Sequence, residues 1–292
     1  MKRVAVWAVA AAVAAGGAAA GGEAKPPYRN PTAGRELVYQ LPGMHRAKLI
    51  HDLVYRRVAG IQLRMDVYHP SSWDGRGRLP AVIIGGPPAY GAGKDSGQKI
   101  GWSQLVAASG LAAATFDIRS DNYLATPRDP SEDVAAAIDF VRANAARLSI
   151  DGDRLCTLGF SLGTAPWHLW AAMHDPRPWL RCNAVYYGAL DLHDQGLPGP
   201  ADLVDEFSAI TYLRRDGDRI APMLIAKAAR DQFAGIPRSI DKFVAEARRL
   251  RAPVQLWTHP GGPHGFDTTK PDARSRQIIA ATLRFFRARL LG

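Results

Sequence analysis

The chain has 292 residues, 47% of them hydrophobic and 22% charged, and its 7 Trp, 9 Tyr and 9 Phe supply bulky side chains for a core. This composition excludes a disordered chain, and two cysteines are too few for a small domain held together by disulfides. The formal net charge is +10, but the basic residues are scattered and no basic run is interleaved with aromatic residues, so we expect a solvated basic surface and no nucleic-acid partner.

The first 24 residues have the pattern of a secretory signal peptide. Lys2 and Arg3 precede an uncharged run at 4–15, and small residues then offer cleavage sites at 18–20 and 22–24. The run is rich in Ala and Gly and is short for a bilayer span, which favours cleavage over retention as a membrane anchor. We therefore expect a secreted or periplasmic protein without stable membrane insertion after cleavage.

A leader at 25–47 is expected to precede one domain at 48–292. The elements alternate along this domain in the rhythm of a doubly wound, mostly parallel α/β sheet. Residues 191–219 interrupt the rhythm and are predicted to form a small cap excursion over the carboxyl ends of the strands. The predicted strands are at 51–58, 61–68, 81–84, 111–116, 154–158, 183–187, 223–226 and 254–257, and the predicted helices are at 100–108, 131–146, 162–173, 239–250 and 274–290.

The two cysteines, Cys156 and Cys182, lie near the starts of two neighbouring predicted strands. In an exported protein they could form a disulfide, and two buried free thiols are an equally acceptable interpretation. The chain has no Cys-x-x-Cys and no His-Glu-x-x-His, and the glycine-rich stretch at 91–97 lacks the spacing of a nucleotide-binding loop. We expect neither a metal nor an organic cofactor.

A Gly-Phe-Ser-Leu-Gly string at 159–163 lies between a predicted strand and a predicted helix. At such a turn the glycines permit the tight backbone that projects Ser161 above the sheet as a nucleophile. Here the sequence resembles the α/β-hydrolase superfamily, specifically its esterase, dienelactone-hydrolase and prolyl-oligopeptidase-like branch, over residues 48–292. The resemblance implies the α/β-hydrolase fold and a Ser, acid, His order of catalytic residues along the chain.

His264 is the histidine that fits the general base and acid of such a site. It follows the last predicted strand in a Pro-Gly-Gly-Pro-His-Gly-Phe loop that looks like the family's His-Gly-Phe segment. His259 is the rival, but it precedes the loop and suits a structural role better. His168 and His174 lie on the helix after Ser161, where we expect packing or exposure.

Asp231 is the predicted acid that orients the base. It follows the strand at 223–226 in a segment similar to the family's strand-Gly-x-x-Asp pattern, with Ala228 where Gly is usual. Asp191 and Asp194 follow an earlier strand and are the alternatives.

The oxyanion hole requires two N–H donors. The amide of Leu162, directly after the nucleophile, is the first predicted donor, and the amide of Gly86 is the second. The Gly86 loop looks like the family's His-Gly-Gly-Pro segment with Ile84 in place of His, a change that removes a bracing hydrogen bond. The Ala89 amide and the Tyr90 hydroxyl are alternative donors because the two prolines between them and Gly86 have no N–H.

Together these residues predict an exported serine hydrolase that cleaves small-molecule carboxylic esters through an acyl-enzyme. An exopeptidase or acyltransferase with the same triad is the close alternative, because the triad does not select the ester, amide or acceptor alcohol. A binding protein without activity on a hydrolase scaffold is the remote alternative.

Overall fold

The computed structural model describes residues 34–87, 93–119, 126–197 and 199–292, so the predicted signal peptide and part of the leader lie outside the described residues. The core element is an eight-stranded sheet with the order β1-β2-β4-β3-β5-β6-β7-β8. The strands are β1 (Lys48–Val58), β2 (Ile61–His69), β3 (Leu79–Gly86), β4 (Ala112–Asp117), β5 (Ile150–Phe160), β6 (Leu180–Tyr186), β7 (Met223–Ala228) and β8 (Val254–His259).

The sheet is antiparallel only at one edge. β1 pairs antiparallel with β2, and β2 pairs antiparallel with β4. The remaining pairs are all parallel, and they join the strands in the order β4, β3, β5, β6, β7 and β8. The carboxyl ends of these six parallel strands therefore meet at one edge of the sheet. In open α/β sheets this is the edge where ligands bind.

Helices flank the sheet on both sides. The described helices are α1 (Gly97–Ala108), α2 (Arg128–Ala143), α3 (Ser161–Met173), α4 (Ala201–Glu206), α5 (Ala209–Asp216), α6 (Gly235–Arg249), α7 (Phe266–Thr269) and α8 (Ala273–Leu290). The four helices α2, α3, α5 and α6 contact one another in that order, while α1 and α8 meet where Arg287 donates to the carbonyl of Ser109. The predicted α/β class and doubly wound sheet are confirmed.

The central strands are apolar along their whole length because helices cover both of their faces. Val82, Ile83 and Ile84 of β3 have no exposed surface, and neither do Ala113 and Ala114 of β4. Every predicted strand is present, with ends that differ by up to four residues. Strand ends depend on the pairing partner as well as on local hydrophobicity, so a sequence pattern locates them less sharply.

The excursion at 191–219 is helical. It contains α4 and α5 between two short 3-10 helices, Leu192–Gln195 and Gly217–Arg219. Helix α5 packs against α3 and α6. Its assignment as a cap over the site stays a prediction.

Cys156 and Cys182 form a disulfide between β5 and β6. The two residues are direct partners in the strand register, and both are fully buried. Of the two interpretations that the sequence left open, the structure has the bridge.

None of the helices in the described part of the chain is long and apolar enough to cross a membrane.

Candidate active site

Ser161 occupies a strained turn between β5 and α3. Its φ is +54°, a left-handed conformation that is uncommon for a residue with a side chain and is found at functional sites. A Cβ on Gly159 would lie 2.8 Å from Cα of Ala165, and a Cβ on Gly188 would lie 2.5 Å from Cβ of the same alanine. The two glycines therefore let the amino-terminal part of α3 approach the ends of β5 and β6 closely.

Thr164 stabilises this turn. Its Oγ1 accepts a hydrogen bond from the amide of Phe160 at 2.6 Å and donates one to the carbonyl of Phe160 at 2.8 Å. The residue before the nucleophile is thus held at both backbone groups. The amide of Leu162 belongs to the first turn of α3, where N–H groups have no acceptor within the helix and can bind an oxyanion.

The predicted acid and base are in direct contact. His264 Nδ1 lies 2.7 Å from Asp231 Oδ2. The other carboxylate oxygen of Asp231 accepts the amide of Phe233 at 2.9 Å. The Asp231 side chain is fully buried and the His264 side chain is 16% exposed. Because an ionised carboxylate can only accept, His264 carries its proton on Nδ1 and presents Nε2 as a proton acceptor.

The three predicted triad residues follow the carboxyl ends of β5, β7 and β8, at one edge of the sheet. Tyr187 lies beside the base and the residue before the nucleophile, with its ring centroid 4.5 Å from that of His264 and 6.4 Å from that of Phe160. Within the described residues no hydrogen bond joins Ser161 to His264. The contact between nucleophile and base stays a prediction, and such contacts often tighten only when substrate binds.

The rival histidine has a structural role. His259 Nε2 lies 3.0 Å from Asp272 Oδ1 and 3.1 Å from Ser275 Oγ. Asp272 is the N-cap of α8 and accepts the amide of Ser275 at 2.9 Å. His259 therefore fixes the start of α8.

The alternative acids are likewise engaged elsewhere. Lys242 on α6 binds Asp191 at 3.3 Å and Asp194 at 2.9 Å. Asp191 also accepts the amide of His193 and caps a 3-10 helix. These contacts favour Asp231 as the partner of the base.

The amide of Gly86, the predicted second oxyanion donor, points toward a neighbouring strand. Gly86 is the last residue of β3, is paired with Asp117 of β4, and accepts the amide of Ile118 at 3.1 Å. The N–H and C=O of one strand residue point to the same side, so the Gly86 amide also faces β4. Its role as the second oxyanion donor stays a prediction. The alternatives, Ala89 and Tyr90, lie outside the described residues.

A buried carboxylate near the base was missed in the sequence. Asp267 has no exposed surface and accepts three hydrogen bonds, from Tyr187 Oη at 2.6 Å and from Gln98 Nε2 and Trp102 Nε1 at 3.0 Å each. It follows His264 closely along the chain, in α7, and so ties the base's loop to α1 and to the end of β6. In the sequence, the feature that could have pointed to Asp267 is its position only a few residues after His264.

Lys99 is a buried basic side chain beside the nucleophile turn. It is 1% exposed, and its Nζ lies 4.0 Å from the ring centroid of Phe160 and 3.1 Å from Gln98 Oε1. Burial lowers the pKa of Lys99 to about 7, and the nearby charge of Asp267 opposes that shift.

One group of described residues, His51, Asp52 and Asp66, brings potential metal-ligating atoms together. The Lys94 ammonium lies 3.0 Å from Asp52 Oδ1 and 3.2 Å from Asp66 Oδ2. A cation of the chain itself therefore neutralises these carboxylates.

Sequence comparisons give partial matches. The BD-FAE family model matches residues 65–175, a segment that includes the Ser161 turn. The chain is 27% identical over 188 residues to the non-reducing polyketide synthase ausA of Aspergillus calidoustus, which covers 54% of this chain and 8% of that protein. It is 33% identical over 104 residues to the uncharacterized protein PA2218 of Pseudomonas aeruginosa, which covers 32% of this chain and 27% of that protein. The matches thus span less than a third of either relative.

Solved structures match over most of the chain. The propionate-bound form of esterase 2 from Thermogutta terrifontis has a TM-score of 0.66 at 19% identity, covering 85% of this chain and 96% of that one. The native form has a TM-score of 0.65 at 19% identity, covering 85% and 94%. The form phosphorylated by paraoxon has a TM-score of 0.63 at 19% identity, covering 85% and 95%. The chain has the α/β-hydrolase fold.

Proposed function

We propose that the protein is a serine hydrolase that cleaves carboxylic esters through an acyl-enzyme formed on Ser161. The observation that carries this proposal is the 2.7 Å contact between His264 and the buried Asp231, at the sheet edge where the strained Ser161 turn lies. A binding protein has no need of a nucleophile turn, a base and an orienting carboxylate in this arrangement.

Acylation begins when Ser161 Oγ attacks the ester carbonyl carbon and its proton passes to His264 Nε2. The Asp231 carboxylate stabilises the imidazolium that results, because Nδ1–H already donates to it. The bond from the carbonyl carbon to the leaving oxygen then breaks. His264 returns the proton to that oxygen, so an alcohol leaves and the acyl group remains on Ser161.

Deacylation repeats these steps with water as the nucleophile. His264 takes a proton from water as the water oxygen attacks the acyl carbon, and it then gives the proton to Ser161 Oγ as the acid departs. The Leu162 amide is the first donor to the oxyanion in both halves, and Gly86 is the predicted second donor.

The fold relatives support an ester as the substrate class. Esterase 2 of T. terrifontis has been described in propionate-bound and paraoxon-phosphorylated forms. By analogy we propose short-chain esters as the first substrates to test.

The test combines a fluorophosphonate probe with a substrate panel. We expect stoichiometric labelling of folded protein, with the modified peptide mapping to Ser161, and hydrolysis of aryl esters of short acyl chains. Heat-denatured protein is the control and should remain unlabelled. A preference for aminoacyl amides would replace the esterase proposal by a peptidase, and folded protein that neither labels nor hydrolyses would indicate the binding protein.

We also propose that the protein is exported after cleavage of a signal peptide within residues 1–24. The disulfide between Cys156 and Cys182 supports this, because such bonds persist in oxidising compartments. Mass spectrometry of the periplasmic protein from a Gram-negative host should find a chain that begins at Gly21 or Lys25. An uncleaved chain confined to the cytoplasm or the membrane would refute the proposal.

A further inference from the structure

His168 lies on α3, two turns after the nucleophile, and is 1% exposed. Both of its ring nitrogens are used. Its Nε2 accepts the amide of Gly85 at 2.9 Å, and its Nδ1 lies 2.9 Å from the carbonyl oxygen of Thr164. The backbone donor and the backbone acceptor both require the neutral ring with its proton on Nδ1, so the two contacts agree on one tautomer.

These contacts connect two parts of the site that are far apart in sequence. Gly85 belongs to the carboxyl end of β3 and directly precedes Gly86, the predicted second oxyanion donor. Thr164 binds both backbone groups of Phe160, the residue before the nucleophile. A continuous chain of hydrogen bonds therefore runs from Gly85 through His168 and Thr164 to the Ser161 turn.

The packing leaves little freedom for the ring. A Cβ on Gly85 would lie 2.9 Å from His168 Cε1 and 2.7 Å from the ring of Phe116. The absence of a side chain at Gly85 thus lets the imidazole reach the strand backbone directly. Phe116 packs against the imidazole with ring centroids 5.9 Å apart.

The environment keeps the ring neutral. Burial, with a smaller contribution from the nearby Lys99 charge, lowers the pKa of His168 to about 4, and the hydrogen bond to the Thr164 carbonyl opposes that shift. Because the ring is uncharged near neutral pH, Nε2 remains an acceptor there. His168 therefore does not act as a second base for the reaction, and its lone pair serves the Gly85 amide.

We propose that His168 is a positioning residue that sets the distance between the oxyanion side of the site and the nucleophile turn. The proposal rests on the serine hydrolase function proposed above. Pro87 directly follows β3 and lies close to the nucleophile turn, because its Cγ would be 3.8 Å from a Cβ on Gly163. A shift of the β3 end would therefore move Gly86, the predicted second oxyanion donor, relative to the Leu162 amide and the attacked carbonyl.

Two substitutions separate the two contacts of the ring. In His168→Asn the side-chain amide replaces Nδ1, so it can donate to Thr164 but cannot reach Gly85. In His168→Gln the longer side chain places an oxygen near the position of Nε2, where it can accept the Gly85 amide. His174→Asn, an exposed position at the end of the same helix, is the control.

We expect His168→Asn to lower kcat by roughly 10- to 100-fold with KM changed less than about twofold, because displacement of the predicted second oxyanion donor weakens transition-state binding selectively. For His168→Gln, kcat should stay within about fivefold of the wild-type value. Both variants should unfold at a lower urea concentration than the wild type, and by a similar amount. The control should match the wild type. The second-order rate of fluorophosphonate labelling should follow kcat, while labelling still reaches completion.

Equal kcat values for the Asn and Gln variants at equal stability would overturn the positioning role. So would a loss of activity that only reflects a smaller folded fraction, measured by incomplete labelling. Failure of the proposed function has a different signature, because the wild-type protein itself would then neither label nor hydrolyse esters.

Discussion

Ser161→Ala is expected to lower kcat for a short-chain aryl ester by about 10⁵- to 10⁶-fold and to abolish fluorophosphonate labelling. The change removes the only atom that can form the acyl-enzyme in the proposed mechanism. Ser161 is only partly buried, and its hydroxyl has no hydrogen-bond partner among the described residues. Its removal therefore breaks no contact that stabilises the folded protein. The thermal midpoint should therefore stay close to that of the wild type.

Ser72→Ala is the matched control, because this serine is exposed in the turn after β2, outside the candidate site. It should leave kcat and labelling unchanged. Residual stoichiometric labelling of Ser161→Ala, or hydrolysis at more than about a thousandth of the wild-type rate, would contradict the nucleophile assignment.

Asp231→Asn is expected to lower kcat by about 10⁴-fold while the protein remains folded. The present carboxylate accepts from His264 Nδ1 and from the Phe233 amide. An amide in its place can donate to Nδ1, which moves the histidine proton to Nε2 and leaves the base unable to accept from Ser161. The substitution removes a negative charge and changes the tautomer of His264, but it removes no proposed contact with the substrate. We therefore expect KM to change much less than kcat.

Asp191→Asn tests the alternative acid with the same chemical change. Asp191 is bound by Lys242 and caps a 3-10 helix, so its replacement should affect stability more than kcat. Rates measured at matched folded fractions decide between the two. A drop for Asp191→Asn as large as that for Asp231→Asn would transfer the acid role away from Asp231.

The buried network around Asp267 shows why some site residues escape sequence analysis. Asp267, Gln98 and Trp102 carry no motif, and 165 residues separate Trp102 from Asp267 along the chain. Their meeting depends on α1 and the β8 loop both lying beside the end of β6. His168 was missed for a related reason. A histidine on an apolar helix is ordinarily a packed or exposed residue, and its hydrogen bond with the Gly85 amide is visible only in the tertiary structure.

The amino-acid sequence by itself determined the α/β alternation and the identity of the candidate nucleophile and base, and it left Asp231, Asp191 and Asp194 as candidate acids. Local patterns suffice for these, since apolar runs specify buried strands and the Gly-x-Ser-x-Gly turn is a contiguous string. Only the tertiary structure selected Asp231 over Asp191 as the partner of His264, joined Cys156 to Cys182, and turned the Gly86 amide toward β4. These outcomes depend on strand order and register, which bring distant segments together and which no local pattern encodes.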